Sequence, residues 1–354
     1  VTAKTFGQAL ARPHNGFSVL RLALATAVVV SHAFSVTSGQ PLDEPLARMT
    51  GFSLGAHAVN GFFAVSGFLV AMSLERRGAS DYVLARALRI LPGVVVATLI
   101  VTLVLGPALT RLPLAEYLQA PGPWLFIRDT LTTFKSNASL PGVFADNPYR
   151  SPLGTVWTLK YEVLCYLGLL AAGLAGLLRR GPALALVAAL ALGLAAAAFL
   201  HPGLSEGAET RFRLPLLFAS GSALYLWRDR LGHRAWPLAL LALATALLQG
   251  TPLYRSLLFL TEAYGAIWLA LCPALARPAF APRADLSYGI YLYGWPIQQS
   301  LHALVPSASP WLLLLPSMAL TGLVAAASWV AVEKPALRLK ARALAGRAPR
   351  AVVS

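Results

Sequence analysis

Charged residues are scarce in this chain, at 12% of 354. That is about half the share found in an ordinary soluble domain. Too little polar side chain is present to cover a water-soluble globule, so a wholly soluble enzyme is excluded and the solvent is read as largely lipid. Acidic residues are scarcer still, with 14 Asp and Glu against 29 Lys and Arg. Cysteine is nearly missing. Cys165 and Cys272 both lie inside apolar runs, which excludes a disulfide framework and any cysteine-based metal site, and reads them as small buried hydrophobes. No internal repeat is evident, and no cleavable leader is read, because the first apolar run is long enough to remain as a span.

Apolar sequence fills the rest, at 57% hydrophobic. A helix needs about 20 residues to cross about 30 Å of hydrocarbon. On that measure the sequence predicts an all-α integral membrane protein with a bundle of about ten spans: 17–37, 53–74, 84–109, 155–178, 182–200, 211–228, 235–250, 253–275, 286–305 and 309–332. The run at 235–250 is the shortest. The stretch 182–200 is almost pure Ala and Leu and reads as lipid-facing, without chemistry. A transmembrane domain over 1–340 followed by a basic tail over 341–354 is the expected organisation.

The net charge of +15 could suggest nucleic acid in a soluble protein. Here the cations sit in short clusters between apolar runs, which suits anionic headgroups and argues for membrane lipids and against nucleic acid as partner. With the N-terminus placed inside, 19 Lys and Arg fall on inner segments and 8 on outer ones, with Arg21 and Lys160 inside spans. That asymmetry predicts both termini on the cytoplasmic side. The longest outer segment, roughly 110–154, either covers an outward-facing site or connects passively through an interfacial helix.

Ionisable groups inside spans are expensive and point to function. The candidates taken from them are Arg21, His32, Arg86, Arg89, Lys160 and Glu162. Arg21 and His32 are eleven residues apart, so they share one helix face about 16.5 Å apart along the axis. On span ends alone, His32 lies about 8 Å and Glu162 about 10 Å below the outer edge. An imidazole and a carboxylate at one depth suit a general base and its orienting acid. The blander reading of His32 is a hydrogen-bonded core histidine. Lys160 lies near the same level and can snorkel outward. Arg86 and Arg89 are neighbours at i and i+3. With Arg21 at the same inner depth, they suit a phosphorylated ligand, or else headgroup snorkelling. Gly61, Ser66 and Gly67 thin span two, for helix packing or for passage of a ligand chain.

In order and spacing, these residues resemble the acyltransferase-3 family of membrane acyltransferases over nearly the whole chain. The resemblance rests on Arg21 and His32 and on Phe62-Phe63-x-x-Ser66-Gly67-Phe68. It continues through Arg86-x-x-Arg89-Ile90-x-Pro92 and Trp157-Thr158-Leu159-x-x-Glu162. It ends with Arg213 before Phe218–Gly221, then Ser287-Tyr288-x-x-Tyr291-Leu292 and Glu333-Lys334-Pro335. It implies transfer of an acyl group, usually acetyl from acetyl-CoA, to a hydroxyl of a cell-surface polysaccharide or lipid-linked glycan, in a bacterial inner membrane and without a metal. By resemblance Arg21 and His32 are the essential pair, and on the depth reading above His32 and Glu162 are expected to be catalytic. Arg21, Arg86, Arg89, Ser66, Tyr288 and Tyr291 are expected on the acyl-CoA side, and Lys160, Trp157 and Arg213 on the acceptor side. Gly294 departs from the pattern, since the late Ser-Tyr motif often ends there in a histidine. The hydrolase-like soluble domain of some relatives is also missing from this sequence, so the chemistry is expected within the bundle. An acceptor that is a small secondary metabolite remains open, as does a transporter, although a transporter is disfavoured by the lack of an inverted repeat.

Overall fold

A computed structural model describes residues 5–345. Among these residues no strand occurs, only an isolated bridge between Thr5 and Gly232. Ten helices fall on the apolar runs: α1 (Phe17–Ser38), α2 (Leu54–Arg77), α3 (Ala79–Ile100), α4 (Trp157–Leu174), α5 (Arg180–Leu200), α6 (Glu206–Leu226), α7 (Trp236–Leu247), α8 (Tyr254–Ala270), α9 (Ser287–Leu304) and α10 (Pro310–Ser328). Each coincides with one apolar run of the sequence. Five segments are long and apolar enough to cross a membrane: Phe17–Ser38, Leu54–Arg76, Ala79–Leu109, Arg180–Leu200 and Pro310–Leu339. The protein is a multi-pass membrane protein on that basis.

The run at 235–250 forms the shortest of these ten helices. Its helix α7 has 12 residues, about 18 Å of rise, well short of a bilayer core. The remaining four helices are shorter or more polar than the five. The tail predicted at 341–354 begins inside the helix Lys334–Ala345, and 346–354 lie outside the described residues.

The chain divides into two compact units. The first contains 1–28, 54–76 and 161–283, and the second 29–53, 77–160 and 284–354. In the first, α6 packs against α5 and α8, and α7 lies on α8. Its tightest crossing joins α2 to α6. A Cβ on Gly67 would lie 2.0 Å from the Phe218 carbonyl oxygen, and one on Gly221 2.0 Å from that of Ala64. The Ser222 hydroxyl donates to the Gly67 carbonyl at 3.1 Å across this crossing. Helix α5 exposes Leu184, Leu186, Leu192 and Phe199, the lipid-facing surface expected of a run of Ala and Leu.

In the second unit α9 packs on α10, and α3 lies against α9 and the helix Lys334–Ala345. Both α3 and α10 end in a π-helical turn, at Val101–Leu105 and Trp329–Glu333. Such turns commonly mark functional positions, and here the second one carries Glu333. The long segment 110–154 carries helices at Leu114–Gln119 and Pro121–Thr133. Asp129 sits there beside Arg128 and Lys135, and its hydrogen bond from Arg128 holds the carboxyl below its usual range. The end of the segment is stitched to α9. Asn147 donates to the Gln299 carbonyl and side chain at 2.9 and 2.7 Å, and Gln299 donates to the Tyr149 carbonyl at 2.9 Å.

Candidate active site

His32 lies on the half of α1 that belongs to the second unit. Its ring meets Trp295 edge-on, with centroids 4.9 Å apart and planes at 86°. Trp295 is itself fixed. Its indole N–H donates to the Ser151 carbonyl at 2.7 Å, and its ring covers Gly154, where a Cβ would come within 2.6 Å. Tyr149 meets the same indole at 5.3 Å. The segment 147–154 and α9 therefore build one wall for the imidazole, so the long segment is more than a passive connector. The His32 Nδ1 atom is buried without a hydrogen-bond partner among the described residues. A core histidine kept only for packing would leave that loss uncompensated. Trp295 was not singled out in the sequence, where it reads as one more aromatic in an apolar run.

Gly294, beside Trp295, packs on Val29, and a Cβ there would come within 2.7 Å of Val29 Cγ2. The site that carries histidine in the family pattern is therefore filled by a neighbouring side chain.

Glu162 lies on α4 in the first unit. The Tyr166 hydroxyl donates to its Oε1, and Ser66 Oγ lies 3.2 Å from the same hydroxyl. Two predicted residues, Ser66 and Glu162, are thus joined through Tyr166. That partner was legible, because Glu162 and Tyr166 are i and i+4 on one helix.

Arg89 is brought together with Tyr288, whose ring lies 5.5 Å from the guanidinium carbon. Asp285 at 3.0 Å and Glu333 at 3.9 Å flank its cationic end. Ser328 donates to the other Glu333 oxygen at 3.2 Å. Tyr288 crosses over Gly93 and donates to the Ile90 carbonyl at 2.7 Å. Arg86 is one turn away on the same helix. Arg21 belongs to the first unit. Tyr291 clamps the start of α4: its hydroxyl donates to the Thr155 carbonyl at 2.9 Å and lies 2.6 Å from Thr158 Oγ1. It therefore fixes the turn that presents Trp157, which is half-buried. Lys160 is exposed, as snorkelling implies.

Arg213 is buried on α6, with Glu209 at 3.7 Å. Glu209 also pairs with Arg255. Nearby in the same unit, His57 Nδ1 pairs with Glu262, and Asn60 donates to the second Glu262 oxygen at 2.6 Å. Of this group the sequence reading singled out only Arg213. An ionisable residue inside an apolar run was the available signal for His57 and Glu262.

Cys165 and Cys272 are free thiols. Cys165 lines an apolar cavity of about 560 Å³ between α4, α5 and α6, with Gly168, Pro182, Pro215 and Phe218.

The described residues thus form a helical membrane protein with a histidine packed on an indole and arginines in ion pairs among its helices. The profile of the acyltransferase-3 family, described as "Acyltransferase domain", matches residues 14–332, and the chain belongs to that family. It is 29% identical over 302 residues to an "O-acetyl transferase" of Shigella phage Sf6, covering 80% of this chain and 85% of the relative. It is 30% identical over 367 aligned positions to "Nodulation protein 10" of Rhizobium leguminosarum bv. viciae, covering 94% of this chain and 96% of the relative. No solved structure matches significantly.

Proposed function

We propose that this protein moves an acyl group, acetyl in the simplest case, from acyl-CoA to a hydroxyl of a cell-surface or lipid-linked saccharide. In this reading ten helices span a bacterial inner membrane with both termini in the cytoplasm, and acyl-CoA enters from that side. The observation that carries the reading is His32, walled by Trp295 with a buried, unpartnered Nδ1, on the same helix face as Arg21 in a chain of this family. A sugar hydroxyl is a poor nucleophile at neutral pH and needs a positioned base. Imidazole has the unperturbed pKa suited to that work.

His32 takes the hydroxyl proton as the oxygen attacks the thioester carbonyl. The carbon–sulfur bond breaks, and the CoA thiolate leaves and takes that proton from His32, which returns to its neutral form. Glu162 serves the same step as its carboxylate, with Tyr166 and Ser66 holding it. Trp157 and Lys160 are assigned to the acceptor. Arg21, Arg86 and Arg89 are assigned to the CoA phosphates, and the donor then competes with Asp285 and Glu333 for Arg89. The test compares ester-linked acyl groups on envelope saccharides from cells carrying wild type, His32→Ala or Glu162→Gln, with protein level and CoA binding checked. Near wild-type ester in His32→Ala refutes the assignment of His32.

A further inference from the structure

The first unit carries a second polar layer that the transfer chemistry above does not use. His57 and Asn60 lie on α2, Glu209 and Arg213 on α6, Arg255 and Glu262 on α8. All six fall within about 13 Å of the starts of their helices. The His57–Glu262 and Glu209–Arg255 contacts require those three starts to lie on one side of the unit. Exposure falls inward from that side, from 36% at the Arg255 side chain through 17% at His57 and 16% at Glu262 to 0% at Asn60.

Three features give the layer the character of a binding site. Asn60 is fully buried. Its amide donates to Glu262, while its Oδ1 has no partner among the described residues. A buried acceptor left unmet is costly and is satisfied by a donor on a ligand. Next, the charges of the inner residues balance: two carboxylates, Glu209 and Glu262, stand with two guanidinium groups, Arg213 and Arg255, while Glu206 lies exposed at the start of α6. An anion is repelled by the first pair and a cation by the second, so the layer suits a neutral ligand. Finally, carboxylates, an amide and guanidinium groups together offer both acceptors and donors. Adjacent sugar hydroxyls, which donate and accept, match that mixture.

We infer that His57, Asn60, Glu262 and Arg213 bind the sugar ring of the acceptor, through hydroxyls that donate to Asn60 Oδ1 and Glu262. This rests on the saccharide reading above and deepens it. The bland account is a buried ion-pair network that only ties α2, α6 and α8 together, and the two accounts separate in one experiment.

Purified protein in lipid nanodiscs is given radiolabelled acetyl-CoA, first alone and then with saccharides extracted from the envelope of cells lacking the gene. Release of CoA to water reads the donor side. Label in saccharide reads the acceptor side. Glu262→Gln and Asn60→Ala are expected to raise the extract concentration for half-maximal transfer about tenfold, with CoA release within about twofold of wild type. Thr261→Val, which removes the neighbouring hydroxyl paired with Thr245, should match wild type in both. Unmoved half-saturation in both variants overturns the inference, and so does joint loss of CoA release and transfer in folded protein. If Glu262→Gln and Asn60→Ala do not fold, Asn60→Ser, which withdraws Oδ1 but keeps a small polar side chain, decides by the same criterion. A wild-type sample that labels no saccharide overturns the general reading and this one with it. A labelled wild type with unmoved variants overturns only this one.

Discussion

Substituting Gly67 with alanine tests the close crossing of α2 and α6. The added Cβ would lie 2.0 Å from the Phe218 carbonyl oxygen, whereas ordinary contact begins at 3.4 Å. The obstacle is backbone and cannot swing aside, so α2 and α6 must separate by about 1.4 Å. The hydrogen bond from Ser222 to the Gly67 carbonyl, now 3.1 Å, is lost at that distance. Overpacking costs about 1–3 kcal/mol. An interhelical hydrogen bond in a membrane contributes about 0.6–1.7 kcal/mol. The expected loss for Gly67→Ala is therefore about 2–5 kcal/mol. Reversible unfolding in mixed micelles, titrated with denaturing detergent, measures it. Gly221→Ala meets the Ala64 carbonyl at the same 2.0 Å and should cost a similar amount. The double variant should lose less than the sum, because one separation relieves both clashes. A loss below about 0.5 kcal/mol for Gly67→Ala, or strict additivity, would show that the crossing does not hold the unit together.

Trp295→Ala should lower acyl transfer about 10–100-fold at unchanged CoA affinity, since the edge contact that orients His32 is gone; Trp295→Phe should recover part of it, and equal rates for the two variants refute the positioning role. Arg86→Ala and Arg89→Ala should each weaken acyl-CoA binding, measured by titration in detergent, and unchanged affinity in both sinks the phosphate assignment. A Cys165→Ser, Cys272→Ser double variant should keep most activity, because Cys165 faces an apolar cavity and Cys272 lies in an apolar run; complete loss in folded protein points to a thiol-borne acyl group.

Much of the architecture was legible without coordinates, because it depends on local composition. Apolar runs of about 20 residues must become helices in lipid, where every backbone polar group needs an internal partner. Helices α1 to α10 each lie on a run read from the sequence. The short run at 235–250 shows the limit, since hydrophobicity marks burial in lipid but does not fix helix length, here 12 residues. Motif spacing was similarly informative. It identified His32, Glu162, Arg89 and Tyr288, and the structure joins Arg89 to Tyr288 and Glu162 to Ser66.

By itself the sequence determined the solvent, the helical class, the family pattern and which ionisable groups lie inside apolar runs. Those follow from residue type and from spacing along one helix, which the 3.6-residue turn fixes. Only the tertiary structure decided the partners. Trp295 meets His32 across more than 260 positions of chain, Glu262 meets His57 across 205, and Asp285 and Glu333 close on Arg89. Contacts of that range depend on which helix faces pack together, and packing is set by side-chain shape at crossings such as Gly67 on Phe218, which no single helix encodes.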